Sequence, residues 1–231
     1  MLSHRSVRRG ARPGFSLIEL VIVIGIIALL MGILLPVVAR ARELAKQGGC
    51  KANLATLGRA WVEYHLANGT NIVGGNTGPG SWVDSGTDEG AIKRGLLFRF
   101  VKDVEVYRCP KEPGKSNLRS YSVSAYLNGE GSPKAKTIHE IKRPSTAVVF
   151  IEEYDPRGYN INSFWEPVTG DSFIDMPAAW HDDGCNLAFA DGHAEYWHWE
   201  DVRTRNLSSF GANTPNNPDL KRLQAAMKYW Q

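Results

Sequence analysis

Apolar residues form one continuous stretch close to the N-terminus. From Phe15 to Leu35 there are 21 residues, and Glu19 is the single charged one. At about 1.5 Å per residue a helix of this length covers roughly 31 Å, close to the hydrocarbon thickness of a bilayer. The pattern predicts a membrane-crossing helix over residues 15–36.

A different periodicity follows in residues 37–67. Apolar and aromatic side chains recur there at spacings of three and four residues: Leu54, Leu57, Trp61 and Tyr64. Such spacing puts side chains on one face of a helix, and this face is expected to lie in a core. We interpret 37–67 as an amphipathic continuation of the first helix, with bends at Pro36 and Gly48-Gly49.

Residues 68–231 are predicted to form a globular head. Gly, Ser and Thr are frequent in 68–90, which predicts a long surface loop, and a short helix is expected at 91–101. Segments rich in β-branched or aromatic residues predict strands at 104–108, 121–127 and 146–152. Residues 154–179 are predicted to be an irregular insertion. The expected architecture is α+β, with the long N-terminal helix packed on an antiparallel sheet.

A hairpin is predicted within residues 181–199. Asp191-Gly192 lies between two alternating runs, CNLAFA and HAEYWHW, which indicates a two-residue type I′ turn. One hairpin face, expected to pack on the long helix, then carries Leu187, Phe189, Ala194 and Tyr196. The opposite face carries His193, Glu195, Trp197 and Trp199.

Charge limits the classes of partner. Four of the 27 Lys+Arg precede residue 15, which leaves 23 basic residues against 24 Asp+Glu in the remainder. A nearly neutral chain gives no electrostatic reason to expect a nucleic acid as partner. Because basic residues favour the cytoplasmic side of a membrane helix, residues 1–14 are expected to be a cytoplasmic leader.

Three cysteines are too few for a disulfide-rich scaffold, and none forms a C-x-x-C pair. If the head lies in an oxidising compartment, one disulfide is expected. Cys50 with Cys109 is the preferred pair, although the sequence alone does not fix the pairing.

The string GFSLIEL at 14–20 resembles the class III signal sequence of type IV prepilins and type II secretion pseudopilins. This resemblance implies that a prepilin peptidase cuts after Gly14 and N-methylates Phe15. It also implies that Glu19 pairs with the N-terminal ammonium of a neighbouring subunit, and that Pro36 is the family's helix-kinking proline. Such a pairing offsets the cost of a carboxylate in a membrane, which is about 2.5–3.5 kcal/mol at the centre of a helix and less near its start, where Glu19 lies.

Two other export signals fit less well. Ala39-Arg40-Ala41 resembles the cleavage site of a secretory signal peptide, but Glu19 at the start of the apolar core opposes this interpretation. Arg8-Arg9 resembles a twin-arginine signal, but the residues that follow, GARPGF, do not continue that pattern.

A second resemblance lies near the C-terminus. His181, nine residues and then Asp191-Gly192 resemble the H-x9-DG motif of a prepilin-processing-associated C-terminal domain. CKANLATLG at 50–58 and RCP at 108–110 are also similar to that family. The resemblance spans most of the chain and supports the prepilin class without implying a mechanism.

The same region holds the densest group of potential metal ligands: His181, Asp182, Asp183, Asp191 and His193. A hairpin turn could bring His181, Asp183, Asp191 and His193 together. By analogy with pseudopilins that hold calcium in a C-terminal loop, calcium is the expected ion. The alternative is that Asp191 serves the turn and the others are surface or hydrogen-bonded residues.

An enzymatic function is not expected. No G-x-S-x-G, P-loop, H-E-x-x-H or kinase-like string occurs, and Glu152, Glu153 and Asp155 fit a solvated strand end as readily as a catalytic carboxylate pair.

The sequence favours a subunit of a type IV pilus or a type II secretion pseudopilus. It is expected to cross the inner membrane once, with a cytoplasmic N-terminus and a periplasmic head, and to join a surface or periplasmic filament. Expected partners are prepilin peptidase, other pilin or pseudopilin subunits, the inner-membrane assembly platform and, before assembly, membrane lipid. The alternative is a non-polymerising membrane-anchored binding or adhesion module, for which Trp197 and Trp199 offer an aromatic surface.

Overall fold

A computed structural model describes residues 15–113, 119–157 and 163–229. The chain divides into two compact units, Met1–Leu44 and Ala45–Gln231. A long N-terminal helix is followed by a domain with an antiparallel sheet, so the predicted α+β class is confirmed.

Helix α1 runs from Leu17 to Ala67 and contains 51 residues. It continues through Pro36 and Gly48-Gly49, so the predicted segments 15–36 and 37–67 are parts of one helix. Every residue from Phe15 to Lys46 is exposed. The residues of α1 that are buried all lie later: Cys50, Leu54, Leu57, Gly58, Ala60, Trp61 and His65.

The segment after α1 is more ordered than its composition suggests. It contains the parallel strands β1 (Gly74–Thr77) and β2 (Ser81–Val83) and the helices α2 (Glu89–Arg94) and α3 (Phe98–Val101). The prediction of a surface loop over 68–90 is therefore wrong. Trp82 shows that this segment is part of the core: it is fully buried, and its ring centroid lies 6.0 Å from that of Tyr107 and 5.5 Å from that of Phe150.

The main sheet is antiparallel, with the strand order β3-β4-β6-β7. Its strands are β3 (Tyr121–Val123), β4 (Val148–Glu152), β6 (Gly184–Phe189) and β7 (Ala194–His198). The strand predicted at 104–108 is wrong, because Glu105–Tyr107 forms a 3₁₀ helix. Asp103 starts this turn by accepting a hydrogen bond from the Glu105 backbone N–H at 3.0 Å.

The remaining elements are short. Two further 3₁₀ turns span Ile138–Glu140 and Pro144–Thr146. Strand β5 (Ser172–Phe173) pairs with β8 (Ala212–Asn213), and helices α4 (Val202–Arg205) and α5 (Pro218–Ala226) complete the chain. The side chain of Asn217 caps α5 by accepting hydrogen bonds from two backbone N–H groups.

The β6–β7 hairpin has a different register from the one predicted. Leu187 pairs with Glu195 and Ala188 with Ala194. The Phe189 N–H donates to the His193 carbonyl, so the loop has three residues, 190–192, and the prediction of a two-residue turn is wrong. A shift of one residue reverses the face of each side chain relative to the partner strand.

This shift changes which residues meet α1. Ala188 lies against the helix: a Cβ added at Gly58 would lie 3.4 Å from Ala188 Cβ and 3.1 Å from the Gly192 carbonyl oxygen. Leu187 and Phe189 are on the opposite face of the strand from Ala188, because side chains alternate along it. Trp197 is buried at the other side of the hairpin, where the Arg222 guanidinium of α5 lies 3.7 Å from its ring centroid. Small residues thus allow the sheet to lie close to α1.

Candidate functional site

The first turn of α1 has its own capping interaction. The Ser16 carbonyl accepts the Leu20 N–H at 3.2 Å, and Glu19 Oε2 accepts the Ser16 backbone N–H at 2.8 Å. This is half of a capping box, in which a glutamate at the third helical position reaches back to the N-cap residue. The spacing of Ser16 and Glu19 signals this role for the carboxylate, and the sequence interpretation missed it.

The other residues predicted for processing and assembly are Gly14, Phe15 and Pro36. Gly14 lies outside the described residues. Phe15 precedes α1, and its side chain is 75% exposed. Pro36 is inside α1. The apolar part of α1 is long enough and apolar enough to cross a membrane, and in water its exposed surface would be strongly unfavourable.

Cys50 and Cys109 are joined by a disulfide with a Cα–Cα distance of 5.0 Å, which is the pair preferred from the sequence. Cys185 is a buried free thiol. Burial raises the pKa of Cys185 well above its usual value, and the nearby charge of Glu152 acts in the same direction. The thiolate of Cys185 is therefore disfavoured, and with it nucleophilic reactivity.

The four residues predicted to hold a metal are divided between the two ends of β6. His181 and Asp183 precede this strand, while Asp191 and His193 follow it. Six residues of strand span roughly 17 Å, so a single ion cannot contact all four side chains. The structure therefore does not bring these four residues to one point, and calcium binding in the head stays a prediction.

Local partners account for most of these side chains. Asp183 pairs with Arg205, with 2.8 Å between Oδ2 and Nη1. Asp191 accepts the His193 backbone N–H at 3.1 Å and also contacts the His193 ring. These bonds stabilise the turns at each end of β6.

His181 belongs instead to a buried cluster that the sequence did not reveal. Its members, the sulfur–carboxylate cluster, are Cys50, Cys109, Glu152 and His181. One ligand atom from each lies within 4.8 Å of the others. His181 Nε2 lies 3.0 Å from Glu152 Oε1 and 3.2 Å from Cys109 Sγ. All four residues are at most 1% exposed.

Glu152 is held in place by the neighbouring strand. Its Oε2 accepts the Asn186 backbone N–H at 2.7 Å, and its Oε1 lies 3.2 Å from Asn186 Nδ2. These donors offset part of the cost of burying a carboxylate. The interpretation of Glu152, Glu153 and Asp155 as a solvated strand end is wrong, since all three are at most 3% exposed.

A second group of buried acids comprises Glu153, which follows Glu152 in the chain, together with Glu166 and Asp175. Burial, followed by repulsion from Asp175, raises the pKa of Glu153 to about 8. Burial also raises the pKa of Asp175 to about 6 and that of Glu166 well above its usual value. The Ser122 hydroxyl donates to Glu153 and partly opposes the shift. Glu153 is therefore mostly protonated at neutral pH.

Comparison with known proteins identifies the N-terminal segment. No curated protein and no solved structure gives a significant match to the chain. Residues 9–35 match the family model described as the prokaryotic N-terminal methylation motif. The match covers the N-terminal segment alone, and together with the long apolar helix it indicates that this segment carries a prepilin-type processing signal.

Proposed function

We propose that the chain is a structural subunit of a type IV pilus or a type II secretion pseudopilus. It is inserted in the inner membrane, cut after Gly14, N-methylated at Phe15 and assembled through α1. The observation that carries this proposal is the methylation motif at residues 9–35, continuous with a helix whose apolar side chains are exposed all round.

The apolar part of α1 requires an apolar environment. Its residues from Phe15 to Leu35 have no buried face within the described chain. Lipid supplies that environment to a single subunit, and the same helices of neighbouring subunits supply it in a filament. A helix that is apolar on all sides suits both states in turn.

Glu19 has a role in each state. Its Oε2 caps its own helix through the Ser16 N–H, and its Oε1 can accept from the N-terminal ammonium of a neighbouring Phe15. The charge pair then sets the register between subunits, because the carboxylate is costly in an apolar bundle without a cationic partner.

Mass spectrometry of the mature N-terminus tests the proposal. In cells with an active prepilin peptidase we expect a chain that begins at N-methylated Phe15. Gly14→Val should leave the leader attached, whereas Gly25→Val, at a position with no neighbouring atom within 4 Å, should be processed normally. A start near Glu43 would indicate a secretory signal peptide, and an intact Met1 would leave only a membrane anchor.

The alternative of a non-polymerising binding module has little support in the head. The aromatic surface predicted for it consists of Trp197 and Trp199, but these side chains are only 5% and 0% exposed. Such a module would be processed but remain outside filaments, so isolation of filaments containing this chain distinguishes the two functions.

A further inference from the structure

The sulfur–carboxylate cluster contains more polar groups than a disulfide requires. A disulfide is apolar and needs neither an acid nor a base beside it. Yet Glu152 and His181 are fully buried against Cys109, although burying a carboxylate is costly even with the Asn186 donors beside it. This arrangement needs a further explanation.

Hydrogen bonds leave the centre of the cluster with two acceptors for one donor. His181 Nε2 faces both Glu152 Oε1 and Cys109 Sγ, so a proton on Nε2 is shared between them. A ring protonated at Nδ1 instead turns a lone pair towards both, and Nδ1 has no hydrogen-bond partner among the described residues that would fix the proton there. A cation at the centre gives the Nε2 lone pair, the carboxylate oxygen and both sulfurs one common positive partner.

We propose that Cys50, Cys109, Glu152 and His181 form a zinc site when both cysteines are reduced, and that the disulfide and the metal are alternative states of the same four residues. Two sulfurs, one imidazole nitrogen and one carboxylate oxygen are a ligand set typical of tetrahedral zinc. Calcium and magnesium prefer oxygen ligands only, so thiolates select against them.

The distances suit this ion after small shifts. With zinc–ligand bonds of about 2.0–2.3 Å, tetrahedral ligand atoms lie about 3.3–3.8 Å from one another. The atoms of the cluster lie 3.0 Å and 3.2 Å apart around His181 Nε2, and all are within 4.8 Å. Glu152 is oriented by Asn186, which gives the carboxylate the kind of outer support that metal ligands need.

The two states interconvert by a balanced reaction. A dithiol reductant transfers two electrons and two protons to the disulfide, which becomes two thiols, and the reductant is itself oxidised to a disulfide. Zinc binding then displaces one proton from each thiol. In the reverse direction a disulfide donor oxidises the two thiolates, takes up two protons and releases the ion.

A cleft lies next to the cluster at Cys109. It has a volume of about 440 Å³ and is lined by Cys109 together with Asp103, Glu105, Glu112 and Arg108. Three carboxylates against one guanidinium favour the entry of a cation, since a cleft lined by one sign of charge concentrates the opposite ion.

Metal binding by the full-length chain in detergent tests the proposal. The chain is reduced with a dithiol, freed of chelator and titrated with Zn²⁺, and in parallel with Co²⁺. We expect about one bound ion per reduced chain, a thiolate-to-cobalt charge-transfer band and protection of both thiols from alkylation. The oxidised chain should bind none of either metal at this site.

Single substitutions locate the ion. His181→Gln and Glu152→Gln should weaken Zn²⁺ binding at least about tenfold, and Cys50→Ser, which leaves one thiolate, should weaken the charge-transfer band. The matched controls, His193→Gln at the far end of β6 and Cys185→Ser, should bind like the original chain. Tryptophan emission shows whether each variant is folded.

Measurements on the unsubstituted chain are sufficient to overturn the proposal. If its reduced form keeps native tryptophan emission but binds no Zn²⁺, or binds Co²⁺ without a thiolate band, the cluster is only a disulfide with a buried histidine–carboxylate pair. Equal affinity of the folded His181→Gln variant and the original chain would also exclude this site.

Discussion

Glu19 combines a local hydrogen bond with a charge, and the two can be separated. Glu19→Ala removes both, whereas Glu19→Gln keeps an oxygen that can accept the Ser16 N–H. We expect both variants to enter the membrane, because removing a charge favours insertion. Neither should enter filaments, because the partner of the neighbouring ammonium is lost. Immunoblots of membrane and sheared-filament fractions measure both steps.

The comparison of the two variants decides between the roles of Glu19. Loss of the cap alone costs about 1 kcal/mol of helix stability, so only Glu19→Ala should show fraying of the first turn. Normal incorporation of Glu19→Gln would contradict the intersubunit charge contact and would leave the cap as the function of this residue.

The buried acid Glu153 should make the head more stable in mild acid than in mild base. Its pKa is about 8 when folded, against 4.5 as its ordinary value. Between these values the folded state keeps a proton that the unfolded state releases, so the free energy of unfolding falls as pH rises, by at most about 1.4 kcal/mol per pH unit. The stability is present below about pH 4.5 and is lost as pH passes about 8.

Urea unfolding of the full chain in detergent, followed by tryptophan emission at about pH 5.5 and about pH 8.5, measures this slope. Glu153→Gln mimics the protonated acid and should reduce the slope, with a higher midpoint than the original chain at the alkaline pH. Glu89→Gln, on the exposed surface of α2, should leave the slope unchanged. A flat or rising profile in the original chain would contradict the buried-proton explanation.

At the level of elements, the contact between α1 and the β6–β7 hairpin depends on glycine. Gly58 lies under Ala188 and the Gly192 carbonyl, where a Cβ already makes tight contacts of 3.4 Å and 3.1 Å and a longer side chain has to displace the hairpin. Gly58→Leu should therefore lower the free energy of unfolding by about 1–3 kcal/mol through overpacking. Gly48→Leu, in the same helix with no atom within 4 Å, should be neutral or stabilising by up to about 1 kcal/mol. Urea titration measures both, and an equal effect of the two substitutions would contradict the close approach.

Elements with a strong period were predictable, and those set by single contacts were not. The C-terminal end of α1 at Ala67 follows directly from the helical stripe and the Asn68-Gly69 that ends it. The register of the hairpin was missed because Asp191-Gly192 fits a two-residue turn as well as a three-residue loop. The structure has the latter: Gly192 has φ +91°, but Asp191 does not adopt the positive φ that a type I′ turn requires at both central residues.

The whole molecule depends on a covalent link across a long loop. The cysteines are 59 positions apart, and closing a loop of this length stabilises a fold by about 4 kcal/mol in the chain-entropy model. Reduction in the presence of a chelator should therefore lower the urea midpoint substantially. Cys185→Ser should show the same reduction-dependent shift, since its thiol is not in the link. An unchanged midpoint after complete reduction would contradict a structural role for this disulfide.

The candidate sites differ in how far the sequence predicted them. The residues of the processing segment are contiguous, so the short string from Gly14 to Glu19 was sufficient to predict it. The sulfur–carboxylate cluster is assembled from a helix, a loop, a strand and a second loop, so no local pattern indicates it. The sequence indicates His181 as a ligand but groups it with His193, because only its neighbours in sequence are visible there and not its neighbours in space.

In a filament assembled as proposed, the position of Cys50 would determine how the head carries a mechanical load. Cys50 is the first buried residue of α1 in chain order, ahead of Leu54, Leu57 and Trp61. Tension applied through the N-terminal part of α1 therefore reaches the head first at a covalent bond to Cys109. The disulfide bears the force before the apolar contacts of Leu54, Leu57 and Trp61 do. In a filament that contains the oxidised subunit, contacts between subunits should therefore break before α1 separates from the sheet.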